Sequence, residues 1–251
     1  LVEESEREMI QSVFDLGDTL VRELMVPRTD MVWIEGNKSL RQGLSLALRS
    51  GFTRIPVIDE NLDNIIGIAY VKDLARRTHE HRESELIEMV SAHIRPATFV
   101  PETKTAAELL KEMQRDQIHM AVVVDEYGGT AGLITIEDIL EEIVGEIADE
   151  YDDDDLEIEW LSETSARLSA RLHIENFATS FKIEIAETER EDVDSIGGLL
   201  AKTLGRVPIP GSTISIAGVK LTAERPVGRR HRIATVLAER IVDDQETILE
   251  Q

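Results

Sequence analysis

The chain has 251 residues, 42% of them apolar, and a formal charge of −23. The length exceeds one modal domain of roughly 100–150 residues, and so acidic a surface repels phosphate backbones, which argues against general nucleic-acid binding. Cysteine is absent, so disulfides, thiol chemistry and Cys-ligated metal centres are excluded; no run approaches the roughly 18–20 apolar residues that span a bilayer, and no signal peptide is legible.

Residues 1–24 place Met9, Ile10, Val13, Phe14 and Leu16 at helical spacing, which predicts a lead-in helix ending near Gly17. A second helix, capped by Asp18, is predicted through Met25 and closed by Pro27. The numbering opens on Leu1 rather than Met, and the expectation is that this chain begins inside a longer protein.

A repeat follows. Gly67–Leu74 returns 65 positions later as Gly132–Ile139, with Tyr70 and Asp73 in the first copy matched by Thr135 and Asp138 in the second. The apolar runs Ile55–Asp59 and Ala121–Asp125 are offset by 66, and Val26–Thr29 matches Arg95–Thr98 at 69. Three blocks in one order at nearly constant offset mean two copies of one unit, placed at residues 25–82 and 90–148. Each copy reads strand, helix, strand, strand, helix. In the first, Met31–Ile34 is extended, Leu40–Leu48 is a helix opened by Ser39, Ile55–Ile58 and Ile65–Tyr70 are strands, and Val71–Arg77 opens a helix. In the second, the same elements fall at Phe99–Val100, Thr105–Gln114, Met120–Val124, Ala131–Ile134 and Ile136–Ile147. The stretches Asp59–Asn64 and Asp125–Gly129 carry hairpin-turn chemistry. Each unit leaves one sheet face bare, and pairing the two buries it.

Residues 149–159 hold eight acidic side chains in eleven. Such a run self-repels and reads as an extended linker; it lacks the Gly and spacing of an EF-hand loop. Residues 160–245 then form a small α+β unit: a strand at Ala166–Leu172, helices at Ile174–Phe181 and Ser195–Leu204, a turn at Pro208–Gly211, and strands at Thr213–Ile216, Gly218–Ala223 and Arg232–Leu237.

Three constellations bear on chemistry. Thr135 and Asp138 read first as a capping box. The same pair also sets a helix N-terminus directly after a strand, which suits phosphate, with a carboxylate on the first turn able to accept both hydroxyls of a ribose. Tyr70 stands where the other copy has Thr135, so the site containing Thr135 and Asp138 is the better of the two. Arg54, in Phe52–Pro56, is either a surface arginine paired with a carboxylate or a phosphate ligand. In Asp192–Gly198, Ser195 or Asp194 can cap a helix that two glycines allow to pack closely; a dinucleotide fingerprint would need a third glycine and a preceding strand. The histidines, among them His79, His81, His119, His173 and His231, fall in no metal-ligand spacing, and no catalytic set is legible.

The repeat resembles a pair of CBS domains, the Bateman module that binds adenine nucleotides. Met25–Met31, Thr53–Val57, His119–Gly128 and Gly132–Ile147 resemble the CorC/HlyC family more closely, and Asp192–Leu199 resembles the start of that family's C-terminal transporter-associated domain. The resemblance implies a tandem CBS pair followed by a small α+β domain, magnesium and cobalt efflux or its control, and a flat two-fold dimer built through the CBS pair. Carried over by position, it implies ATP with Mg2+ held by Thr29, the Thr53, Arg54, Ile55 and Pro56 segment, Thr135 and Asp138. Asp138 would take the ribose, Thr135 the ribose or α-phosphate, and Arg54 the phosphates. It further implies a membrane domain of the same polypeptide upstream of residue 1, so that this part would lie on the cytoplasmic side of the cell membrane. A free-standing adenylate sensor acting on a cytosolic partner is the alternative. The C-terminal domain resembles a flavin-binding fold, but no flavin-ligating motif is identifiable and FAD is not expected.

Overall fold

A computed structural model describes residues 4–145, 157–224, 226–227 and 232–241. The chain divides into two compact units, residues 1–149 and 150–251.

In the first unit, the run Arg54–Ile58 pairs antiparallel with Ile65–Tyr70 and parallel with Ile34–Glu35; the second copy repeats this with Met120–Val124, Thr130–Thr135 and Phe99–Pro101. These strands read as continuous apolar runs because both faces are covered. Ala121, Val123 and Ile134 face their own repeat's helices, whereas Met120, Val122 and Leu133 join Met31, Ile58, Ile65, Ile68 and Tyr70 in a core shared by both sheets. Helices Leu40–Ser50 and Ala106–Asp116 start at Ser39 and Thr105, whose hydroxyls accept from Gln42 N and Glu108 N.

The fourth strand of each sheet comes from the other repeat's lead-in. Val26–Pro27 pairs with Leu133 and Gly132, and Ile94–Arg95 pairs with Ala69 and Ile68. The exchange extends to the cores: Leu16, Val21 and Leu24 pack in the second repeat, and Val90 packs in the first. It also accounts for the glycine shared by the two motifs. A Cβ on Gly67 would lie 2.6 Å from the carbonyl oxygen of Arg95, and one on Gly132 still closer to that of Val26. Only glycine lets the exchanged backbone come so near.

Some expectations shift. The lead-in helix spans Glu4–Asp15, and the next helical turn is only Val21–Leu24. Its leading residue is Leu20, whose N–H donates to Glu23 Oε1 at 3.1 Å, while Asp18 sits in a turn, its N–H on Asp15 O. Met31–Ile34 is extended only at its end, because Arg28–Asp30 forms a 3-10 turn. Residues 146 and 147, predicted to end the last helix, most of the acidic run, and His231 lie outside the described residues.

The second unit is a five-stranded antiparallel sheet in the order Thr213–Ile216, Val219–Ala223, Thr235–Arg240, Ser165–Ser169 and Ile158–Trp160. Ile158 and Glu159, at the end of the acidic run, therefore already belong to the sheet. Residues alternate buried and open along the strands, the pattern of a sheet covered on one face. Phe177 and Phe181 of helix Ile174–Phe181, with Ile196, Leu199 and Leu200 of helix Ile196–Leu204, fill the buried side. Ser195 caps the latter helix, its Oγ accepting from Gly198 N at 3.2 Å, and Gly197 N donates to Ala170 O at 2.8 Å. The glycines of that loop thus serve packing.

Candidate nucleotide site

Thr135 ends its strand opposite Met120 and caps helix Ile136–Val144. Asp138 Oδ2 accepts from Thr135 N and from Thr135 Oγ1, both at 2.7 Å, and Thr135 Oγ1 accepts from Asp138 N at 3.2 Å. The capping box is therefore real, and it clamps the carboxylate in one orientation. No donor among the described residues bonds Oδ1, so an acceptor remains on a rigid group beside the positive end of a helix.

The Thr53–Pro56 segment lies on the other sheet. The Thr53 carbonyl accepts from Val71 N at 3.0 Å, as the His119 carbonyl accepts from Ile136 N at 3.2 Å, so Thr53 and His119 are structural counterparts. Ile55 is buried in the first repeat's core and Pro56 is buried opposite Ile68, so their side chains are spent on packing. Arg54 is half-buried opposite Tyr70, its Cζ 5.6 Å from the ring centroid, and its Nε is buried without a hydrogen-bond partner. Such a donor costs about 1–3 kcal/mol until an acceptor reaches it. Tyr70, opposite Arg54, and Met120, opposite Thr135, both pack against the shared inter-sheet core. Thr29 is exposed on the Arg28–Asp30 turn, which packs on strand Thr130–Thr135. Thr135 and Asp138 come together in one capping box, whereas Thr29 lies on the turn towards the Thr130 end of the same strand and the Thr53–Pro56 segment lies on the first sheet.

The counterpart cleft is built differently. Tyr70 takes the cap position of helix Val71–Glu80 without a side-chain cap bond. Its ring carries the Arg95 guanidinium at 4.3 Å and Lys72 Nζ at 5.9 Å from the centroid, a favourable cation–π stack. Arg95 Nε also donates to Asp73 Oδ2 at 2.7 Å. This bond holds the Asp73 carboxyl below its ordinary range, with Arg76 adding to the effect. The carboxylate corresponding to Asp138 is thus already taken by the protein. Arg95 was not singled out from sequence, although it is visible there as the arginine that replaces Val26 in the matched block.

Among the described residues no group of three or more His, Asp or Glu is arranged to hold a metal ion, and no helix is long and apolar enough to cross a membrane.

A family model described as CBS domain matches residues 21–80 and 89–145, and one described as transporter associated domain, CorC_HlyC, matches 160–241. The chain is 51% identical over 240 residues to a UPF0053 protein of Mycobacterium tuberculosis, covering 94% of this chain and 55% of that relative. It thus spans about half the length of that relative. It is 39% identical over 231 residues to the magnesium and cobalt efflux protein CorC of Escherichia coli, covering 92% of this chain and 77% of the relative. Among solved structures, the CBS domain of a bacterial CNNM/CorC family Mg2+ transporter aligns with a TM-score of 0.55 at 47% identity, over 59% of this chain and 88% of the other. A CBS domain of that description in complex with ATP aligns with a TM-score of 0.54 at 48% identity, over 57% and 99%.

Proposed function

This chain belongs to the CorC family, with a tandem CBS pair followed by the family's C-terminal domain, and from that membership we propose that it is the regulatory region of a magnesium and cobalt efflux protein, controlled by ATP with Mg2+ at the site around Thr135 and Asp138. One observation carries the reading: Asp138 is oriented by Thr135 with Oδ1 left over, in a CBS pair 48% identical to one solved with ATP. Asp138 accepts the ribose hydroxyls and Thr135 lies beside them. Arg54 fits the phosphates, because a phosphate oxygen would relieve its unpartnered Nε. Thr29 and the Thr53–Pro56 backbone complete the set. The metal ion arrives with the phosphates, consistent with the lack of a resident carboxylate cluster among the described residues.

Two copies of the CBS pair associate, ATP favours one arrangement of that dimer, and the lead-in helix carries the change towards a membrane domain on the cytoplasmic side of the cell membrane. For this to work ATP must bind the two arrangements with different affinity.

Calorimetric titration of ATP into the chain, with and without Mg2+, tests the site. Saturable binding is expected, weakened about tenfold or more by Asp138→Ala, since a hydrogen bond to a charged group contributes about 1.5–3 kcal/mol. Equal affinity in the variant removes the site; no binding in the wild type removes the regulatory reading.

A further inference from the structure

The exposed turn that carries Thr29 is held by one side-chain cluster. Both terminal guanidinium nitrogens of Arg28 donate to Asp63, Nη2 to Oδ2 at 3.0 Å and Nη1 to Oδ1. Nη1 donates in addition to the Thr130 carbonyl at 3.2 Å. Asp63 Oδ1 accepts from Thr130 N at 2.9 Å, and Asp63's own N–H is fixed on Asn61 Oδ1 at 2.8 Å. Four bonds thus join three segments: the Arg28–Asp30 turn, the Asp59–Asn64 loop of the first repeat, and Thr130 of the second.

Thr130 opens the strand whose last residue is Thr135, and Arg28 immediately precedes Thr29. The cluster therefore sets where Thr29 stands along the strand that ends in the capping box. It exists in one copy only. By the offset that matches Val26 to Arg95, the counterpart of Arg28 is Ala97, which has no such donor. The guanidinium holds the Asp63 carboxyl below its ordinary range, so the pair stays charged near neutral pH.

We infer that Arg28 and Asp63 are positioning residues of the nucleotide site: they clamp the turn to the start of strand Thr130–Thr135 and so hold Thr29 at one fixed place relative to the strand that ends at Thr135. The inference rests on the nucleotide reading above. Without the clamp the turn occupies the competent place only part of the time, and the apparent dissociation constant rises by the inverse of that fraction. The Arg–carboxylate fork is what makes the clamp directional; a lysine keeps the charge and loses the fork.

The test is Mg-ATP titration of the wild type, Asp63→Asn, Arg28→Lys, Arg28→Ala and the Arg28→Ala/Asp63→Ala double variant, with Asp138→Ala alongside and urea unfolding of each nucleotide-free protein. Asp63→Asn and Arg28→Ala are expected to weaken binding about three- to tenfold, with Arg28→Lys between them and the wild type. The double variant should lose no more than the worse single one, because both act through one cluster. Asp63→Asn that binds as well as the wild type, or more tightly because a freed Arg28 reaches the phosphates itself, overturns the clamp. So does a loss of stability with no change in affinity. A wild type that does not bind ends the nucleotide reading and the clamp together, whereas a wild type that binds and an indifferent Asp63→Asn ends the clamp alone.

Discussion

Ala217 occupies a backbone conformation that its side chain opposes. It sits at φ 46°, followed by Gly218 at φ 76°, in the two-residue hairpin between Ile216 and Val219. Two consecutive positive φ values make a type I′ turn, for which Asn-Gly is the preferred pair, and an alanine held there stores about 1 kcal/mol. Ala217→Asn is expected to stabilise the second unit by about 0.5–1 kcal/mol, read as a higher urea midpoint. Ala-Gly carries little turn signal, so the hairpin was legible from its flanking strands and not from its tip. Glu88 gives a prediction of a different kind. Arg77 above all, and then His93, hold its carboxyl at about 2, below the ordinary 4.5. A depressed carboxylate stabilises the fold above its unfolded value, and that contribution fades as pH falls from about 4.5 towards about 2. The stability gap between the wild type and Glu88→Gln should therefore be wide near about pH 6 and narrow near about pH 2.5; a gap that does not change with pH would mean the pair does not act through charge.

Among the elements, the ones that pack hardest were the ones legible in advance. Strands Ile65–Tyr70 and Met120–Val124 announce themselves as apolar runs because they are covered on both faces. Ser39 and Thr135 mark helix starts through bonds that depend only on local sequence. The exchanged strands Val26–Pro27 and Ile94–Arg95 did not show, since two residues carry no periodicity, and Ile158–Trp160 was hidden by the charges before it. Thr135 and Asp138 were readable as a capping box because one motif supplies both. That Asp73 is engaged by Arg95 needed the fold, because the partner lies 22 residues away. The glycines at the exchange are testable elements of that fold. Gly132→Ala is expected to destabilise the first unit by about 2 kcal/mol or more, since the added methyl must displace the Val26 backbone. Circular dichroism during urea unfolding checks this, and an unchanged midpoint would mean that the Val26 backbone moves aside at no cost.

For the whole molecule, the inequality of the two clefts governs stoichiometry. With Asp73 held by Arg95 and Tyr70 capped by cations, one nucleotide per chain is the expected saturation value. Asp73→Ala should leave the affinity at the Asp138 site within about twofold; calorimetric stoichiometry near two in the wild type would show both clefts competent. The charge of −23 bears on assembly. Like charges brought together across a dimer repel, and divalent cations relieve that repulsion more than monovalent ones at equal ionic strength. Sedimentation equilibrium at fixed ionic strength should therefore show a tighter dimer with Mg2+ than with Na+ alone, and equal constants would remove the electrostatic role.

The exchange of lead-in strands has a mechanical consequence. The lead-in to the first repeat is bound to the second: Val21 N and Arg22 N donate to Lys104 O and Glu102 O, and Val26 and Pro27 pair with Leu133 and Gly132. A pull on the lead-in thus loads the far sheet before the near one, and its line of force runs along the strand that ends at Thr135. Severing the chain between the repeats would leave each fragment without its outer strand, so neither half is an independent folding module and the two would have to be threaded together to work.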